Sequence, residues 1–250
     1  MNAIATDPAG NLYVPEAGAS SGQVGIFAPP YTKGAKLTLQ AGIYPNLISV
    51  SRSGLVAIET CSASCASSGI WFYAPGSTTP CAEVAVTQPH FSYAVNLAFD
   101  AAGDLYALGG YSNASNQFVF TVGKIEGGCS ATKIRVLTVS GVVGGTDIHV
   151  DKVGQIAILD VSDSNTLKTF NATKHSLGSP VSTTPLTTSG FLYGAFAFAA
   201  SGKDLYTGEE VSSEVFADKY DYPAGGAAVS TIEVTPPGAP YGIAVTPPLW

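Results

Sequence analysis

Charge is what this chain has least of. Asp, Glu, Lys and Arg make up only 12% of its 250 residues, about half the usual share of a soluble domain. Basic residues number 11 against 18 acidic ones, a net charge of 11 − 18 = −7. No Lys/Arg run occurs, and an acidic surface repels phosphate backbones, so nucleic acid is excluded as a partner. Long apolar runs are missing too; none approaches the ~20 residues of a membrane-spanning helix. Ala/Leu/Glu/Lys runs at helical spacing are absent. The sequence also lacks a Gly-x-Ser-x-Gly elbow, a Walker-type loop, a His-Glu-x-x-His pair and a zinc-type Cys pairing. No signal peptide precedes "NAIATDPAG".

What the chain has is turn residues, 28 Gly and 16 Pro, between short stretches rich in Val, Ile, Thr, Tyr and Phe. That is the composition of many short strands. At this length an all-β chain forms one domain with a sizeable core. Of the four cysteines, Cys61 and Cys65 share the Ser-rich loop "TCSASCASSG". A loop disulfide Cys61–Cys65 is expected, with free thiols as the alternative; Cys81 and Cys129 have no pairing assigned. Scarce lysine and Ser/Thr/Gly-rich loops fit a secreted or cell-envelope protein.

One phrase recurs. It reads "IATDPAGNLYV" (Ile4–Val14), "ISVSRSGLVAI" (Ile48–Ile58), "LAFDAAGDLYAL" (Leu97–Leu108), "IHVDKVGQIAIL" (Ile148–Leu159) and "FAFAASGKDLYT" (Phe196–Thr207). The turn glycines, Gly10, Gly54, Gly103, Gly154 and Gly202, are spaced by 44, 49, 51 and 48 residues. A repeat of this length is a solenoid or a propeller. Each unit continues with a polar loop and two more strands, as in "GIWFYAPGSTTP" and "AEVAVTQ", and four strands per unit make a propeller blade. The phrase itself is the first hairpin, with Asp bonding nearby backbone and Gly taking φ > 0. Ser51 and Ala199 replace the Asp in two units.

The pattern "I-A-x-D-x-x-G-x-L-Y-V" resembles the NHL-repeat propellers and the wider group of gluconolactonase-like and streptogramin-lyase-like six-bladed propellers. The tags "FYAPGSTTP" (Phe72–Pro80) and "YDYPAGGA" (Tyr220–Ala227) resemble uncharacterised secreted bacterial propellers. The resemblance spans nearly the whole chain and implies a fold; it implies no single activity, because these folds host many.

The expected architecture is therefore an all-β propeller of four-stranded blades over residues 3–45, 46–94, 95–145, 146–194 and 195–242. Residues 243–250, "IAVTPPLW", match the opening of a unit and are expected as the inner strand of a closing blade. On this reading the propeller has six blades and its N-terminal part, with any signal peptide, precedes Met1. The rival is a five-bladed ring with an appended strand.

Register gathers candidate site residues on the disc face where first strands start and second strands end. Second-strand ends carry Glu16, Glu59, Asp160 and Glu209-Glu210, with Gly109-Gly110-Tyr111 in the third unit. First-strand starts carry Asn46, Asn96 and Asp147, and Tyr44, Tyr93, Tyr193 and Tyr241 recur around the rim. Oxygen ligands of this kind suit Ca²⁺. The resemblance to gluconolactonase-like propellers implies a Glu/Asn/Asp metal set, for which Glu16 or Glu59, Asn96 and Asp147 stand closest. The alternative is that these are solvated loop carboxylates.

His149 breaks the repeat. Its place is Ala5, Ser49, Ala98, Ala197 and Ala244 in the other units. It is either a general base or metal ligand or a channel-filling imidazole. His90 and His175 read as surface residues. Two function classes follow: a non-enzymatic scaffold, expected to be a monomer, for a protein, peptide or glycan; or a metal-dependent lactone hydrolase or lyase on the carboxylate face.

Overall fold

The computed structural model describes residues 4–17, 22–40, 43–62, 68–162, 165–212, 214–234 and 243–245, with Ala17, Tyr193 and Gly194 described by their backbone alone. Those residues form five antiparallel blades around a central axis. Blade 1 holds β1 (Ala5–Thr6), β2 (Leu12–Ala17), β3 (Gly22–Phe27) and β4 (Gly34–Thr38). Blade 2 holds β5 (Ile43–Val50), β6 (Val56–Ser62), β7 (Ser68–Tyr73) and β8 (Ala82–Ala85). Blade 3 holds β9 (Tyr93–Phe99), β10 (Leu105–Ser112), β11 (Phe118–Ile125) and β12 (Arg135–Val139). Blade 4 holds β13 (Gly145–Val150), β14 (Ile156–Asp160), β15 (Thr166–Phe170) and β17 (Ser182–Thr187). Blade 5 holds β18 (Phe191–Phe198), β19 (Asp204–Val211), β20 (Glu214–Asp221) and β22 (Ser230–Val234).

The repeated turn is built as its residues dictate. Gly10, Gly54, Gly103, Gly154 and Gly202 have φ of 82°, 81°, 87°, 83° and 61°, the left-handed region open to glycine. Oδ1 of Asp7, Asp100 and Asp151 accepts the N–H groups two and four residues on, at 2.8–2.9 Å. Ser51 Oγ accepts only Leu55 N–H, at 3.0 Å. Ala199 has no such side-chain acceptor and keeps the backbone bond from Gly202 N–H, at 2.8 Å. Backbone geometry thus carries the turn, and the Asp adds to it.

The core lies between blades. Alternate residues of each strand face opposite neighbours. Ala57, Ile70 and Phe72 of blade 2 pack on Leu97, Leu105 and Ile125 of blade 3, whereas Ile58, Trp71 and Tyr73 pack on Val24 and Leu37 of blade 1. Leu108, Val122 and Leu137 meet Ile148, Ile158 and Phe170 of blade 4, and Leu159 and Leu167 meet Leu192, Phe196 and Tyr220 of blade 5.

The blades are also clasped at their outer edges. The connection between the last two strands of blade 4 contains β16 (Ser176–Gly178), which pairs in parallel with β12 of blade 3. The same connection in blade 5 contains β21 (Gly226–Ala227), which pairs in parallel with β17 of blade 4. In blade 3 the connection forms a 3-10 turn, Gly128–Ser130, and Cys129 bonds Cys81 at the start of the outer strand of blade 2. Cys61 is disulfide-bonded as well; its expected partner, Cys65, lies outside the described residues.

Ile243–Val245, expected as the start of a sixth inner strand, pair with no strand. They run along the axis, where Val245 O accepts a hydrogen bond from Thr6 Oγ1 at 3.2 Å.

Candidate functional site

Inner strands converge on the axis, and the six repeat-matched residues Ala5, Ser49, Ala98, His149, Ala197 and Ala244 all line the channel there. A cavity of about 100 Å³ remains. That is less than the ~150 Å³ that holds one benzene, so a sugar lactone does not fit without movement of the inner strands.

β-Bulges interrupt the inner strands near their beginnings, between Pro45 and Leu47, opposite Leu108–Gly109, between Gly145 and Asp147, and between Leu192 and Phe196. A bulge re-aims the neighbouring side chain. Here it turns Asp147, wholly buried, across the interfaces. Its Oδ1 accepts the Asn96 amide of blade 3 and its neighbour's Ile148 N–H, the latter at 2.7 Å. Its Oδ2 accepts Phe196 N–H of blade 5 at 2.7 Å and lies 3.6 Å from His149 Nε2. The His149 ring packs edge-on against Phe196, with centroids 4.6 Å apart. Asp147 thus ties three consecutive blades together, and its oxygens are occupied by protein donors.

The other expected residues are spread around the disc. Glu16 pairs with Lys36 at 3.0 Å on the surface of blade 1. Glu59 is buried, and burial pushes its carboxyl up to about 7 although Asn46 hydrogen-bonds to it; Oε2 has no hydrogen-bond partner. Asn96 and Asp147 are therefore the two members of the Glu/Asn/Asp set that come together. Among the described residues, no group of three or more His, Cys, Asp or Glu is placed to hold a metal ion. Tyr44 lies on β5 opposite Cys61, and Tyr93 is exposed at the start of β9. The Tyr193 side chain and Tyr241 lie outside the described residues. His90 packs on Tyr111 at 4.7 Å, and His175 is exposed beside β16.

Asp160 and Glu209 end the second strands of blades 4 and 5, and both cap backbone. Asp160 accepts Val143 and Gly144 N–H at 2.9 Å and Lys168 Nζ at 2.9 Å. Burial would raise its pKa, but those three hydrogen bonds outweigh burial and hold it below the usual carboxylate range. Glu209 accepts Gly190 N–H and faces Asp218; burial first, then Asp218, pushes it up to about 7. Neither Lys168 nor Asp218 was foreseen, because a mid-strand charge reveals its partner only once the strands are paired.

The disc face where inner strands begin, the top face, displays apolar side chains. Tyr93, Phe118, Val143 and Phe191 are 55%, 43%, 69% and 63% exposed at strand starts or just before them. Phe118 stacks edge-on with Phe120 at 4.9 Å.

No protein-family model matches the chain. No curated protein matches it either. Solved structures do. The chain is similar to the β-propeller domain of Cps50 (Swd1) from Myceliophteria thermophila, at 12% identity over 97% of this chain and 89% of that one, TM-score 0.59. It is similar to a 6-phosphogluconolactonase-like protein of Bacteroides uniformis, at 16% identity over 93% of this chain and 68% of that one, TM-score 0.54. It is similar to a chain in a nidogen/laminin complex, at 14% identity over 92% of this chain and 81% of that one, TM-score 0.59. At such identities the likeness is one of fold, and the fold is a β-propeller.

Proposed function

We propose that this protein is a secreted or cell-envelope β-propeller that acts as a non-enzymatic binding module, taking a protein or peptide on its top face. The observation that carries this reading is the exposed set Tyr93, Phe118, Val143 and Phe191 above a channel nearly filled by its own side chains. Exposed apolar surface of this kind is where propellers and other rigid scaffolds meet partners. The disulfides support an oxidising compartment. One similar fold was solved within a protein complex, of nidogen and laminin.

The test is capture of partners from the native extracellular and envelope fractions, with the protein and with a Tyr93→Ala/Phe118→Ser/Phe191→Ser variant of unchanged melting temperature. A partner retained by the first and lost by the second is expected. Equal capture by both, or no partner, would sink the reading.

A second reading, a Ca²⁺-dependent lactone hydrolase or lyase, is favoured by one observation: Asn96 and Asp147 meet beside His149 at the channel. The bound Ca²⁺ would polarise a carbonyl, and Asn96 and Asp147 would hold it after releasing part of their present bonding. Calorimetric Ca²⁺ titration distinguishes the readings, since Asp147→Asn removes such binding.

A further inference from the structure

On the opposite disc face, which carries the repeated hairpin turns, blades 4 and 5 leave a cleft of about 640 Å³. This is the size range of small-molecule sites and far exceeds the 100 Å³ of the channel. Blade 4 contributes its first hairpin, residues 151–155, and Ser182; blade 5 contributes Gly202, Lys203 and residues 221–223.

Two features make it a built cleft. Tyr222 is fixed in place, its hydroxyl donating to Asp151 Oδ2 at 3.2 Å and its ring packed on Phe198 at 4.8 Å. Lys152 lays its stem over the neighbouring turn, where a Cβ on Gly202 would stand 2.5 Å from Lys152 Cδ. Gly202 therefore makes room for a lysine of the adjacent blade and brings it beside Lys203.

The charges leave these ammonium groups for a ligand. Asp151 is committed to three protein donors, Val153 N–H and Gln155 N–H at 2.9 Å and the Tyr222 hydroxyl. Asp221 acts on Lys219. Lys152 and Lys203 form no ion pair among the described residues. Between them stand an amphipathic tyrosine and Pro223, while Gln155 donates to Asn171 at 3.1 Å and so keeps its carbonyl oxygen for a hydroxyl.

We propose that this cleft binds an acidic saccharide. The sugar carboxylate is held by Lys152 and Lys203, the ring lies on Tyr222, and a hydroxyl donates to Gln155 Oε1. The proposal is independent of the top-face reading, because it uses the other face of the disc.

The test is calorimetric titration of the full chain with a trigalacturonate, with the matching neutral galactose trisaccharide, and with inorganic phosphate. The expected result is millimolar or tighter binding of the uronate, weakened at higher salt and at least tenfold tighter than either control. A Lys152→Met/Lys203→Met variant keeps the apolar stems and the fold, and should lose at least tenfold in uronate affinity at an unchanged melting temperature. Absence of uronate binding at millimolar concentration overturns the proposal. So does equal binding of the neutral sugar or of phosphate, or full affinity in the double variant.

Discussion

Asp218 stands in blade 5 where Lys168 stands in blade 4. Lys168 pairs with Ile158, two residues before Asp160, and Asp218 pairs with Thr207, two residues before Glu209. Both terminal carboxylates cap the loop that enters their blade, but the first meets an ammonium and the second another carboxyl. Two buried carboxyls this close retain a proton between them.

Stability should therefore fall as pH rises. Glu209 is pushed up from 4.5 to about 7, so the folded protein holds a proton that the unfolded chain releases above its ordinary pKa. The stabilisation is complete below about pH 4.5 and is lost as pH rises through 7. Asp218→Lys should restore the blade 4 arrangement in an adjoining cleft of about 440 Å³ and flatten the decline. Melting temperatures from pH 5 to 8 test this; an undiminished slope in the variant would refute it.

Glu59 has the same sign. Burial pushes it up from 4.5 to about 7 against the opposing Asn46 bond, so its contribution also vanishes as pH rises through 7. Glu59→Gln should leave the protein at least as stable at pH 8 as the parent, by about 1–3 kcal/mol. Urea unfolding at pH 5 and pH 8 reads the difference, and a larger loss at pH 8 than at pH 5 would contradict the assignment.

Lys168→Met should cost about 3 kcal/mol, because it leaves buried Asp160 without its ammonium. The loss should shrink below the depressed pKa of Asp160, since a protonated carboxyl no longer misses the charge. Chemical denaturation of parent and variant at acid and neutral pH gives both values.

Asp147 and His149 should separate cleanly. Asp147→Ala removes the acceptor for donors from blades 3, 4 and 5, and should destabilise by about 3 kcal/mol. His149→Ala matches what most other blades carry and should cost about 1 kcal/mol or less. Comparable losses would show that the imidazole is as structural as the carboxylate.

Reducing or deleting Cys81–Cys129, which closes a loop of sequence separation 48, should cost about 2–4 kcal/mol. Urea midpoints of the parent and of Cys81→Ser/Cys129→Ser give the number, and an unchanged midpoint would remove the clasp's energetic role.

The hairpin phrase was legible because Gly10, Gly54, Gly103, Gly154 and Gly202 each sit where only a positive φ closes the turn. The ring of Ala, Ser and His residues along the axis followed from the same register. The pairing of Asn96 with Asp147 was foreseen as a neighbourhood on one face, but not as a bond across blades. β16 and β21 were invisible, since segments of 3 and 2 residues carry no periodicity and pair with a different blade. The Cys81–Cys129 link was hidden for the same reason: the cysteines belong to consecutive repeats and meet only at their outer edges.

The clasps all point one way. Blade 3 grips blade 2, blade 4 grips blade 3 and blade 5 grips blade 4, while β22 carries no such clasp among the described residues. Under a pulling force the disc therefore has a weak end and a strong one, like overlapped roof tiles. Blade 5 can be stripped outward first and must release blade 4 as it goes, so tension applied from that side dismantles the ring in sequence. The same tension from the other side has to break a covalent bond or carry a neighbour along.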